Sequence, residues 1–257
     1  PICLGDGLTL IGLAAALVLL VTFVAIQRGS RAPMIPRGLL ADRSRVGANL
    51  IMFLVGAGML ATFYFLTLYM QVVKGYEPMV TGLAYLPFAL GMGIAAGGLG
   101  PQLLARFSER AVIAVGLVVG IAGMVWFSFL APGQNPLAAL LPAQLIVGLG
   151  LGMVFVTVTI ISVRGVEPQA TGAASGLVNT AQQIGGAVGL AALAAAATVV
   201  TENELPGSVP DALTTGYSYG FLLGAGLYLL ALVVALVTAP ATAPQPQRDT
   251  QQPPVAL

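Results

Sequence analysis

The sequence predicts an all-α integral membrane protein with seven transmembrane helices, and three observations carry that reading. Hydrophobic residues fill 58% of the 257 positions and charged residues only 7%. An ordinary soluble domain is about a quarter charged, so ten basic and nine acidic side chains cannot cover a soluble surface of this size. The charges also leave long gaps, and an apolar helix of about 20 residues crosses the roughly 30 Å of a bilayer core. Finally, the gaps are continuously apolar. A closed β-barrel, the other way to span lipid, would alternate apolar and polar residues. The same composition excludes a soluble enzyme and a disordered chain. A net charge of +1 offers no field for nucleic acid.

Residues 7–27, 46–73, 78–105, 111–163, 168–201 and 212–238 carry no charge. Ala131-Pro132-Gly133-Gln134-Asn135-Pro136 breaks the fourth stretch into two helices. Helices are therefore expected at about 7–27, 47–70, 80–103, 110–130, 137–162, 172–199 and 217–238. The organisation follows: residues 1–46 as a connecting transmembrane helix with a basic loop, 47–238 as a six-helix bundle, and 239–257 as a tail. Pro33 and Pro36 in loop 28–46 mark the one internal boundary. The tail is rich in Pro and Gln, cannot bury apolar surface, and is expected to be disordered. The chain starts at Pro1 without a charged leader and reads as a fragment.

Arginine placement orients the helices. Arg28, Arg31, Arg37, Arg43 and Arg45 share the first loop, Arg106 and Arg110 the third, and Arg164 the fifth, with Arg248 in the tail. The alternate loops hold Lys74 as their only basic residue, while loop 200–216 holds Glu202, Glu204 and Asp211. Basic side chains favour the cytoplasmic side. The N-terminus is therefore expected outside and the C-terminus inside. Nine Arg against one Lys, with much Ala and Gly, point to a GC-rich bacterial genome and hence to the bacterial cytoplasmic membrane.

There is no His, the commonest general base near neutral pH, and one Cys, Cys3, which reads as a small apolar residue. No acid, Lys or Arg falls deep within a span, so the chain shows no proton-coupling carboxylate of its own. Glu77 reads as a solvated loop charge. No catalytic residue, metal site or cofactor is expected.

The uncharged polar residues carry more information. At 100° per residue, Ser175, Asn179, Gln182 and Gly186 share one face of the sixth helix, where Gly185 and Gly189 allow close approach of a neighbour. Asn49, Phe53, Gly56, Leu60 and Thr67 share a face of the second helix, with Tyr64 at its edge. Gln144, Gly148, Phe155 and Ser162 share one on the fifth. Two readings stand for these faces: hydrogen bonding between helices, or the wall of a water-filled cavity that meets a solute. Gly148, Gly150 and Gly152 superficially suggest a nucleotide loop, but the strand it needs is missing, so close helix packing is expected. Gly91, Gly93, Gly97 and Gly98, after Pro87, suggest a bendable, closely packed third helix.

YFLTLYMQVVKGYEPMVTGLAYLPFAL (64–90), GPQLLARFSER (100–110) and GVEPQATGAASGLVNTAQQIGGAVGLA (165–191) resemble the C-terminal half of the fourteen-helix branch of the major facilitator superfamily, which contains drug–proton antiporters. The resemblance covers nearly the whole chain to about residue 238. It implies that the first helix is one of the two extra connecting helices and that the next six form the C-terminal bundle. In the loop motif, Arg106 and Arg110 match the basic positions, Phe107-Ser108 stands where Gly is often found, and Glu109 has no clear counterpart. The implied activity is proton-driven efflux of amphipathic or hydrophobic small molecules by alternating access. Phe53, Tyr64, Thr67, Phe155, Asn179 and Gln182 would line the substrate path, and acids on an absent N-terminal half would couple protons. The implied partners are a small-molecule substrate, protons, the lipid bilayer and that other half. Export of a lipid or an endogenous metabolite, and a non-transporting membrane scaffold, are the alternatives.

Overall fold

The computed structural model describes residues 7–30, 41–205 and 207–241. Cys3, the expected boundary prolines and all but the first few tail residues lie outside that range. Among the described residues there are seven long helical runs and no strands. They are α1 (Gly7–Gly29), α2 (Arg43–Val73), α3 (Pro78–Leu104), α4 (Glu109–Phe127), α5 (Pro136–Val163), α6 (Thr171–Glu204) and α7 (Val209–Thr238). The runs from α2 to α7 are long and apolar enough to cross a membrane. The described side chains of α1 are exposed apart from half-buried Gln27.

Several helices run past the charge-free stretches, for local reasons. Asp42 accepts hydrogen bonds from the Ser44 and Arg45 amides at 2.7 and 3.3 Å, so α2 starts at Arg43 and takes in Arg45 rather than beginning after them. Ser208 caps α7 by accepting from the Asp211 amide at 3.3 Å, and Asp211 then sits in the first turn, where an acid suits the helix dipole. Charges at such ends reach water while the backbone stays helical.

Two spans are not uniformly wound. The last turn of α2, Tyr69–Val73, is π-helical. α3 consists of Pro78–Ala84, a break at Tyr85, Leu86–Ile94, a π-helical turn over Ala95–Leu99, and Gly100–Leu104. Pro87, just beyond the break, has no N–H to continue the ladder. Such interruptions are identifiable causes of bending. Of the four glycines expected to pack α3 closely, only Gly91 does so; Gly93, Gly97 and Gly98 face open space.

The six helices α2–α7 pack into one bundle. α2 lies against α6 and α7, α4 against α5 and α7, and α3 against α5, while α2 also meets α5. Small residues set these approaches. A Cβ at Gly185 would collide with the Phe53 carbonyl, and one at Gly189 with Ala57, so the α2–α6 seam is the close contact the spacing predicted. Along α5, Gly148 and Gly152 abut the α3 backbone, while Gly150 abuts Gly116 and Gly120 of α4. The glycine run is therefore a packing device between two neighbours, not a phosphate loop. Tyr228, Phe65, Phe127, Phe221, Ile113 and Leu117 form the centre of the core.

Candidate transport surface

The two ends of the bundle differ in chemistry. One end joins the starts of α2 and α4 to the ends of α5 and α7. Arg110 Nε donates to the Ala239 carbonyl at 2.9 Å, and its backbone amide to the Pro240 carbonyl at 3.2 Å. This places a cation at the C-terminal end of α7, on the carbonyl of its capping residue. Glu109, the first residue of α4, forms an ion pair with Arg164, which follows α5. Arg106 is exposed just beyond α3. Arg43, Arg45, Arg106, Arg110 and Arg164 therefore stand at this one end. At the other end, Lys74 Nζ donates to the Gln134 carbonyl at 2.8 Å and Tyr69 donates to the Ala131 carbonyl at 2.9 Å, tying α2 to the α4–α5 loop.

Glu109 was not singled out by the sequence. It lies outside any charge-free stretch, yet it is wholly buried and is the only buried charged residue among those described. Arg164 supplies its counter-charge and the α4 N-terminus adds a favourable dipole. The available signal was local: Ser108 caps α4, and an acid follows in the first turn.

The six residues expected along a substrate path are spread over three helices. Phe53 and Gln182 both lie in the α2–α6 seam, where a Cβ at Gly56 would strike the Gln182 carbonyl. Both are half-buried, whereas Asn179, one turn earlier on α6, is exposed. Tyr64 lines an open groove of about 180 Å³ between α2, α6 and α7, with Phe65, Thr198, Glu202 and Tyr217. Its ring meets Phe65 edge-on at 5.6 Å, and Phe65 stacks on Tyr217 at 5.8 Å. Thr67 turns instead towards α3, where its hydroxyl lies 2.7 Å from the Tyr85 hydroxyl. Tyr85 also donates to the Phe63 carbonyl at 2.9 Å, so it fixes the broken part of α3 to α2. Phe155 is half-buried on α5, packed against the main core. Of the polar residues the sequence grouped by face, Gln144 and Ser162 are buried and Ser175 is exposed.

Coverage of the spans is uneven. The apolar stretches of α2 and α5 are each 61% buried, whereas those of α3 and α6 are 22% and 28% buried. The latter two flank the bundle on either side of the α2–α5 contact. Apolar exposure on all sides of the bundle fits a lipid environment rather than water.

An all-helical, multi-pass membrane protein is the class these features define. Residues 7–190 match the Major Facilitator Superfamily, and the chain belongs to that family. Over 237 residues it is 35% identical to the puromycin resistance protein of Streptomyces alboniger, covering 89% of this chain and 47% of that protein. It is likewise 35% identical over 229 residues to the cephamycin export protein of Amycolatopsis lactamdurans, covering 89% of this chain and 46% of that protein. The lincomycin resistance protein of Streptomyces lincolnensis is 28% identical over 179 residues, which are 70% of this chain and 37% of that one. The chain thus spans about half the length of the first two relatives.

Proposed function

We propose that this chain is the C-terminal half, with its preceding connecting helix, of a bacterial efflux transporter that drives amphipathic or hydrophobic small molecules out of the cell at the expense of a proton gradient. The uneven coverage of the spans carries this reading. α3 and α6 are as apolar as a membrane helix needs to be, yet the six-helix bundle leaves most of their surfaces uncovered. A second bundle seated across them would bring α2, α3, α5 and α6 around a shared path. Phe53, Tyr64, Phe155, Asn179 and Gln182 would line it, with Thr67 holding its wall to α3. Aromatic area with a few amides binds loosely specified solutes well. The names of the relatives, which mention resistance to or export of antibiotics, support the efflux direction.

On this reading the Arg-bearing end faces the cytoplasm, α1 begins outside, and residues 239–257 form a cytoplasmic tail. The proton-coupling acids belong to the other half. The partners are the solute, protons, the bilayer and that half. Export of an endogenous metabolite is a second reading, favoured by the export named for one relative.

The experiment is efflux from everted vesicles holding the full-length protein. Dye or antibiotic accumulation should collapse when a protonophore is added. Transport that persists without a proton gradient would reject the coupling, and no transport of any amphipathic solute would reject the efflux reading. A pure scaffold would leave solute flux unchanged when Asn179 or Gln182 is replaced by Leu.

A further inference from the structure

The arginine-bearing end of the bundle carries an apolar groove that the proposed path does not use. Leu103 at the end of α3, Phe107 in the following turn, and Ala111, Val112 and Val115 in the first two turns of α4 line an open groove of about 280 Å³. Every lining side chain is a hydrocarbon, and Phe107 and Val115 are 52% and 50% exposed. The groove runs on into a stripe. Val115, Val118, Ala122, Trp126 and Phe129 are all exposed and recur at helical spacing, so one side of α4 is apolar along its whole length. α4 packs on α5 and α7 and is not among the helices that would surround the shared path. A side that offers no polar group across a whole span suits lipid.

A cation stands where this groove meets the water. Arg106 lies between Leu103 and Phe107 in the chain, just ahead of α4, and is exposed. Asp42 pairs with Arg45 and Glu109 with Arg164, and Arg106 has no acid or hydrogen-bond partner among the described residues. The start of α4 is already satisfied from within the protein: Ser108 Oγ accepts from the Ala111 amide, and the Pro240 carbonyl from the Arg110 amide. From Glu109 to Val115 the helix rises about 9 Å, which keeps the groove within one leaflet of a 30 Å bilayer core.

We propose that this groove holds an acyl chain of an anionic phospholipid, with its phosphate on Arg106. The hydrocarbon walls select the chain, and the charge selects the headgroup. Arg43, Arg45, Arg106, Arg110 and Arg164 at this end outnumber Asp42, Glu109 and Glu167, and basic residues at the end of a span attract anionic lipid. A zwitterionic lipid would bring its own ammonium to the same cations. A free phosphate would lack the chain that fills the groove. The site requires only that the helices span a membrane, and it stands whatever the protein carries.

Photolabelling of the full-length protein in phosphatidylcholine nanodiscs tests it. Phosphatidylglycerol with a photoactivatable group on one chain should label residues 103–115 about five-fold more than phosphatidylcholine with the same chains, the worth of one arginine at an anionic headgroup. Arg106→Gln should bring phosphatidylglycerol down to the phosphatidylcholine level. Val115→Trp, which fills the groove from an exposed position, should lower labelling by both lipids. Excess inorganic phosphate should not compete. Equal labelling by the two lipids, a preference that survives Arg106→Gln, competition by phosphate alone, or no labelling because the other half of the protein covers the groove would each overturn the proposal. Where Val115→Trp does not fold, the two lipids and Arg106→Gln decide alone.

Discussion

Glu109 and Arg164 pair across the arginine-bearing end of the bundle, joining the start of α4 to the end of α5, and the two partners are unequally shielded. The Glu109 side chain is 1% exposed and that of Arg164 46%. Removing the arginine strands a buried carboxylate, whereas neutralising the glutamate frees an arginine that water can reach. Arg164→Ala should therefore cost about 3–5 kcal/mol, and Glu109→Gln about 1–3 kcal/mol. Thermal unfolding of the detergent-solubilised full-length protein checks the order, and equal losses would contradict it.

Glycines on one helix should answer oppositely to the same substitution. A Cβ at Gly189 collides with Ala57, while nothing lies within 4 Å of one at Gly176. Gly189→Ala should destabilise by about 1–3 kcal/mol through forced separation of α2 and α6. Gly176→Ala should stabilise by about 0.5–1 kcal/mol through helix propensity alone. Melting temperatures of the pair decide it.

The two arginines of the loop motif should also separate. Arg110→Ala loses the hydrogen bond to the Ala239 carbonyl, costs about 1–2 kcal/mol, and frees the chain after α7. Arg106→Ala, at an exposed position, should stay within about 0.5 kcal/mol. Limited proteolysis near residue 240, faster in Arg110→Ala only, is the readout.

On the proposed function, substitutions along the proposed path should change flux without changing fold. Asn179→Leu leaves an exposed surface amide out and disturbs no packed neighbour, so expression and melting should hold while efflux of at least one substrate changes several-fold. Thr67→Val should instead cost about 0.5–1.5 kcal/mol, because it removes the Tyr85 hydrogen bond.

Single cysteines in a Cys3→Ser background test the orientation. Positions 106 and 164 should react with an impermeant maleimide only in everted vesicles, and positions 74 and 202 only in right-side-out ones.

The helices were legible because charge spacing is a one-dimensional signal, and lipid punishes an exception anywhere along it. The helix ends were less so: Asp42 and Ser208 extend α2 and α7 by capping, which a hydropathy window does not weigh. The Gly185–Gly189 step was readable for the same reason as the helices, since it lies on one face. Partners across the bundle were not. Nothing in the order of residues says that Gly58 and Gly120 bracket Tyr228, or that Tyr85 ends one helical segment and reaches Thr67. The sequence assigned the proposed path residues to three helices, but only the packing shows that Thr67 turns to Tyr85 on α3 while Phe53 and Gln182 share the α2–α6 seam.

The glycines of α5 serve two neighbours in alternation, Gly148 and Gly152 facing α3 and Gly150 facing α4. The helix is thus keyed on two flanks by one short run. Inserting a single residue before Gly148 would rotate every later position by about 100° and unseat both flanks together. Length in α5 is accordingly a frozen quantity.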